Sequence, residues 1–599
     1  DSLAVAIDQQ AIPLPSVFAR VFPEVRQYER TARLIAAQLG PTAAFLPLLD
    51  RLGARIHVIP LHQDLATAIG DPSVRISVTP DQRRGMDLRA GSVDLVGAVG
   101  IETIEQGAFQ GRSPLLRELV HLVHTHLLTD AQRRRVLELY RVAVQEGRTL
   151  DAESRANERE FLARAIEAYL APEPVHPLSG KGGDSREELQ QKDPEAYAFV
   201  EGLVAEMTRA MEGDPAALAS NRAQLYVELA RRALRGTDGH ADPGRAAALL
   251  DSALVHDPGY LPAMVAYAAV EGVRLGPASA EIWLRNAEGI DPEYAPIHVL
   301  RSRLLARSEL SLPGTLDTRI AHLERAATVE REPWLRGQIV RELWRLYESS
   351  GLLAEAIATA EEFARSASTE TPPLRALREA ATADVMRMRL RAGYTEEPLT
   401  YFRQRVSEEP HDLDSRRWYA VALRAAGQPE EALKILADAH ELLTAAGVAD
   451  PRISVPLAEL RLAEGDSAGA FALLEPILEP DVPRDTVVDG SLVRLLVSLG
   501  QRTEAQRQLA LQPEAVERGE RAELAFTRGW ISAWRGDDEM AERLYREALE
   551  LDPYHREVRV ALYRLLRARG RDAEATALAE QASMLPLPLG PAFQAAIAN

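Results

Sequence analysis

Two kinds of hydrophobic pattern divide the chain. Near the N-terminus, Arg55-Ile-His-Val-Ile59 and Val74-Arg-Ile-Ser-Val78 alternate polar and apolar positions, use β-branched residues, and are bounded by Pro60, Pro72 and Pro80. A period of two predicts short strands with one buried face. Residues 92–99, Ser-Val-Asp-Leu-Val-Gly-Ala-Val, predict a third strand. Around them, helical spacing runs over about residues 23–39, 114–128, 129–146 and 151–170, so this part reads as an α+β domain. Residues 172–183 form a loop rich in Pro and Gly. Its Gly180-Lys-Gly-Gly183 lacks the spacing and the following Ser or Thr of a phosphate-binding loop. From about residue 204 onward every clear segment is helical.

The helical part repeats itself. Gly393, Gly427, Gly465, Gly500, Gly536 and Gly570 recur at intervals of 34, 38, 35, 36 and 34 residues, each between two amphipathic stretches. Glycine there suits a tight turn between antiparallel helices. About five residues after several of them stands a small residue (Ala432, Ala541, Ala575), and seven further on another (Ala439, Ala548, Ala582). Ala246 with Ala253, and Ala280 with Ala287, repeat the pair. Small side chains at that spacing let helices approach closely. Asp257-Pro258, Asp291-Pro292 and Asp552-Pro553 close one helix and open the next.

On these residues the segment 204–585 resembles the tetratricopeptide repeat family, built from 34-residue helix-turn-helix units. The best copy, 522–553, carries Gly529, Gly536, Ala541, Tyr545, Ala548 and Pro553 at the positions of the family pattern, with Trp530 and Trp534 near its shifted early aromatic. Copies at about 300–400 and 450–515 are degenerate, and the whole accommodates about nine to eleven repeats. The resemblance implies an α-α superhelical solenoid whose concave surface binds extended peptides or helices of partner proteins. The sequence does not assign the groove residues. Homo-oligomer assembly through the solenoid is a further reading.

Composition narrows the functional classes. The 599 residues exceed one hydrophobic core. Hydrophobic residues make up 46% and aromatics 5%, a helix-favouring, globular balance. A net charge of −19 disfavours nucleic acid as a partner. With no cysteine, disulfides, thiolate metal sites and a cysteine nucleophile are excluded. No run of about 20 apolar residues stands out, so no membrane span is expected. The start at Asp1-Ser2-Leu3 fits a mature form after signal removal, a tag-cleaved form or a fragment, leaving a cytoplasmic or an exported protein open.

One cluster carries candidate chemistry: Arg117-Glu-Leu-Val-His121-Leu-Val-His124-Thr-His126. In a His-Glu-x-x-His helix, two imidazoles at i and i+4 hold one zinc ion and the Glu polarises the zinc-bound water. Glu118 and His121 stand in that register, and Arg117 takes the first ligand position. His121 and His124 share a face and with Glu160 form an alternative metal set, while His126 lies off it. The bland alternative is three ordinary histidines on an amphipathic helix. No Gly-x-Ser-x-Gly elbow occurs.

Together with Asn157-Glu-Arg-Glu160-Phe-Leu-Ala and Asp193-Pro-Glu-Ala-Tyr197, this stretch resembles the anthrax-lethal-factor-like zinc peptidase domain over roughly residues 40–203. The resemblance puts Glu160 at the third ligand position and Glu153 where the family has its catalytic Tyr. Arginine does not coordinate a cation. It therefore implies a zincin-like pseudoenzyme, with Glu118, His121, His124 and Glu160 vestigial, no catalytic residue and no cofactor. Arg117 is expected to stand in for the ion by pairing with Glu160 or Glu118. The alternative is a divergent zinc-dependent metallopeptidase whose repeats recruit substrate and whose Glu118, His121 and Glu160 remain in use. The expected organisation is a mainly α chain: an α+β zincin-like domain at 1–203 (core 40–203), a solenoid at 204–585 and a tail at 586–599.

Overall fold

The computed structural model describes residues 16–26, 29–61, 90–110, 113–171, 185–236, 241–306, 314–366, 371–479, 482, 484–512, 515 and 517–598. Contacts divide the chain into two compact units. The first comprises Asp1–Leu300 with Val329–Leu335 and Ser368–Arg375, and the second comprises Arg301–Thr328, Arg336–Ala367 and Ala376–Asn599. The boundary expected at 203/204 lies inside the helix Pro194–Met211. Nothing in its sequence breaks that helix there: Asp193 caps it, Pro194 opens it and Leu203 and Val204 are both buried.

The first unit holds a three-stranded sheet of order β1-β3-β2, where β1 is Arg55–Ile59, β2 Ala90–Val93 and β3 Val96–Gly100. β1 pairs with β3 in parallel, and β2 with β3 antiparallel. The single strand expected at 92–99 is thus a hairpin. Asp94, at φ 49°, makes the turn between Val93 and Val96. Its short polar side chain tolerates the left-handed region, which alternation of apolar residues does not reveal. The strand expected at 74–78 and the loop at 172–183 lie outside the described residues.

Helices cover the sheet. Pro114–His126 packs on β2 and β3 and against Glu158–Leu170. The helix expected from 151 starts at Glu158. Asp151 and Ser154 bond each other's backbone N–H groups (Ser154 N to Asp151 Oδ1, 2.8 Å; Asp151 N to Ser154 Oγ, 2.9 Å), a local competitor of helix. Asn157 Oδ1 then caps the helix through the N–H groups of Arg159 and Glu160.

The stretch Arg30–Leu52 is long and apolar enough to cross a membrane, contrary to the expectation from a scan of the sequence. Here it is broken into the helix Glu29–Leu39, a 3-10 turn at Gly40–Phe45 and the helix Leu46–Leu52. Ile35, Leu39, Phe45 and Leu49 are fully buried in the core of this unit.

Between Ala219 and Ser583 the described residues form twenty helices in ten consecutive pairs. Every within-pair connection contains a glycine at positive φ: Gly236, Gly276, Gly314, Gly351, Gly393, Gly427, Gly465, Gly500, Gly536 and Gly570. All ten alanines singled out by spacing, from Ala246 to Ala582, have no exposed surface. The degenerate stretches keep the rule as well: Gly351, Gly465 and Gly500 are followed five residues later by buried Ala356, Ala470 and Ala505. Residues 586–599 are not a plain tail, since Pro591–Ala598 is a helix with Phe593 fully buried.

Candidate functional site

The helix Pro114–His126 is fixed at its start by buried polar groups. Ser113 Oγ accepts the N–H of Leu116 (3.1 Å), and Ser113's own N–H donates to Glu167 Oε1 (2.6 Å). Glu167 pairs with Arg164, which is 1% exposed, and Arg164 Nε donates to Asp151 Oδ2 (2.8 Å). One network thus ties together the N-terminus of the first helix, the second helix and the 151–157 turn. Burial pushes the Glu167 carboxyl up, although Arg164 and the Ser113 N–H oppose that shift.

This frame brings Arg117, Glu118, His121, Glu153 and Glu160 together. His121 Nδ1 lies 3.6 Å from Glu118 Oε2, and His121 Nε2 lies 3.4 Å from Glu160 Oε2. Arg117 Nε lies 3.9 Å from Glu118 Oε1, and Arg117 Nη1 lies 3.5 Å from Glu153 Oε2. The nearest cation to Glu160 is therefore His121. Of the two pairings expected for Arg117, the contact formed is with Glu118; the other arm of the guanidinium reaches Glu153. The geometric reason is that His121, one turn further along the helix, occupies the space facing Glu160.

The charges hold one another. Burial disfavours the His121 imidazolium, but Glu118 and Glu160 outweigh it and raise its pKa to about 9. Burial likewise opposes the Glu160 carboxylate, and His121, with Arg117 and Arg159 beyond, brings it below the ordinary value. His124 is buried apart from these carboxylates. Desolvation and the cations Arg133, Arg159 and His121 push it down to about 3, so it is neutral at physiological pH. His126 faces away: its Nε2 lies 3.2 Å from the Asp94 carbonyl and its Nδ1 3.6 Å from Glu228.

The residues present do not fit a zinc ion. Two permanent or raised cations, Arg117 and His121, sit among the three carboxylates. Among the described residues no three His, Asp or Glu side chains converge as a metal-holding group. The arrangement is a compensated charge cluster between two helices.

Tyr169 and Tyr197 meet at 5.4 Å between ring centroids with their planes tilted by 53°, and Arg186 lies over Tyr169 at 4.1 Å, so the helix Pro194–Met211 packs on the end of the second helix. The sequence assigned no groove residues. In the second unit, a groove of about 660 Å³ runs between the helices Pro429–Ala445, Pro451–Ala463 and Ser467–Leu474. Ala437, Leu457 and Leu473 form its apolar lining, with His440, Glu441 and Arg461 at its polar positions.

No family model matches the chain, and no curated protein matches it. Among solved structures it is similar to the human IFIT1 dimer with m7Gppp-AAAA, at 13% identity over 71% of this chain and 96% of that one, with a TM-score of 0.35. It is also similar to the Cut9–Hcn1 hetero-tetramer of the APC/C (14% identity, 69% and 88% covered, TM-score 0.31). Yeast Tom70 is a third (14% identity, 69% and 95% covered, TM-score 0.28). The helix pairs of this chain, not these likenesses, carry the repeat reading.

Proposed function

We propose that this chain is a protein-binding scaffold in which tetratricopeptide-type helix pairs hold segments of partner proteins and a catalytically silent, zincin-like region serves as a docking module. The observation that carries it is the repeated unit itself: ten helix pairs, each turning on a positive-φ glycine. Such arrays expose more side-chain surface per residue than a compact core and bind through it. Support for silence comes from the charge cluster, where Arg117 fills the first ligand position and is neutralised by Glu118 and Glu153. A guanidinium held there supplies positive charge but no exchangeable coordination site. The alternative, a divergent zinc peptidase, has one observation in its favour: His121 lies within ion-pair distance of both Glu118 and Glu160.

Metal content of the purified protein, measured by mass spectrometry beside the Arg117→His variant, separates the two. The scaffold reading expects no zinc in the natural chain and about one ion per chain in the variant. Stoichiometric zinc in the natural chain overturns the silent assignment. Binding is tested on an array of extended peptides with the full chain. The reading expects saturable binding to a defined subset, weakened about tenfold by Arg461→Glu in the groove. Uniformly absent binding overturns it.

A further inference from the structure

Within the second unit, segments that are far apart in sequence lie against one another. Arg319 donates to both carboxylate oxygens of Glu517 (3.0 and 3.1 Å), 198 residues away. A Cβ on Gly351 would meet Pro553 Cδ at 2.6 Å. Arg391 pairs with Asp552, which is 2% exposed, and also with Glu348. Tyr394 Oη donates to the Pro588 carbonyl (2.8 Å), 194 residues away. Helix pairs four to six repeats apart are therefore in direct contact.

The last of these contacts is made by the segment after the tenth pair. Gly590 N donates to the Ala392 carbonyl (2.7 Å) and Ala592 N to the Gly393 carbonyl (3.2 Å). Leu587 N donates to Tyr554 Oη (2.9 Å). Leu589 and Phe593 enter a core cluster with Trp344, Ala381, Met388 and Tyr554. Hydrogen bonds, an ion pair and apolar burial coincide at one junction between early and late repeats.

We propose that residues 584–598 are a strap that closes the repeat turn of the second unit by binding the 392–394 turn, and that this closure shields the inner faces of the first helices of its pairs. Arg424, on the helix Leu413–Ala425, lies beside Glu459 and also senses Glu557 of the helix Arg556–Ala568, four pairs on. The enclosed side in this proposal is the one lined by these first helices. A partner segment reaches that side only by threading along it or by releasing the strap. The backbone contact itself selects glycine. A Cβ on Gly590 would lie 2.7 Å from the Gly393 carbonyl and 2.9 Å from Tyr394 N. Backbone does not yield as a flexible side chain does.

The chain has no cysteine, so spin labels go only where placed. Labels on Glu396→Cys and Gln594→Cys, both exposed, are measured by double electron–electron resonance in the full chain. We expect one narrow, short distance population. Gly590→Val should shift it outward by at least about one helix diameter, ~10 Å, with helical circular dichroism retained. In parallel, Glu557→Cys should react with a polymer-bearing maleimide about tenfold faster in the Gly590→Val background, while a small maleimide reacts equally in both. A broad distribution in the unaltered strap overturns the proposal, as does an unchanged distribution in Gly590→Val. If Gly590→Val does not fold, Gly590→Ala with the same labels decides, and an unchanged distribution there overturns it too.

Discussion

Arg117 Nη1 and Glu153 Oε2 lie 3.5 Å apart, joining the helix Pro114–His126 to the turn that precedes Glu158–Leu170. The contact sets a guanidinium on one element against a carboxylate on the other. We expect the pair to be coupled. Because Glu153 is 46% exposed, screening limits the coupling to about 0.5 kcal/mol. A double-mutant cycle with Arg117→Ala and Glu153→Ala in urea unfolding measures it. Strictly additive losses would show that the contact does not contribute.

The buried network behind the site should be far more sensitive. Arg164→Met strands Glu167, which keeps only the Ser113 N–H as a donor. Removing one partner of a buried ion pair costs about 3–5 kcal/mol. We expect a loss of that order in equilibrium unfolding, and a smaller loss for Arg164→Met with Glu167→Gln. A loss under 1 kcal/mol for Arg164→Met would mean that solvent reaches Glu167.

The pH response of the cluster follows from His121. Its folded pKa of about 9 lies above the ordinary imidazole value, so folding binds a proton there. Its contribution to stability is complete below about pH 6.5 and is lost as pH rises towards 9. Glu160 works in the opposite sense: its pKa is lowered by the same contact, so its contribution fades as pH falls through the ordinary carboxylate range. In a ¹³C-detected histidine titration, His121 should stay protonated through neutrality while His124 stays neutral down to about pH 3. A His121 midpoint near 6.5 would show that the carboxylates do not hold it.

Glycines on helices should respond in opposite directions. A Cβ on Gly529 would meet the Tyr545 ring at 2.8 Å, where the helix Arg518–Trp534 packs on Asp538–Leu551. Gly529→Ala should cost about 1–3 kcal/mol through overpacking. Gly202, inside Pro194–Met211, has open space around it, and Gly202→Ala should stabilise by about 0.5–1 kcal/mol. Thermal unfolding of both variants checks the pair, and equal signs would contradict the packing described.

By itself the sequence determined the repeats. A turn glycine and the alanines that follow it act over a few residues, so spacing alone reveals them, and the same rule was present, unread, at Gly351 with Ala356 and at Gly465 with Ala470. It also put Arg117, Glu118 and His121 in one register, because helical register is local, whereas Glu153 and Glu160 were joined to them only through the resemblance to a zinc-peptidase domain. What it left open was decided at distance. Whether Arg117 faced Glu160 or Glu118 depended on which side chain filled the space between two helices, and His121 did. The Asp94 turn, the break at Gly40 and the docking of residues 587–593 on the 392–394 turn likewise rest on backbone and packing choices. Contacts between residues nearly two hundred positions apart leave no period in a sequence, since they depend on the accumulated geometry of every helix pair between them.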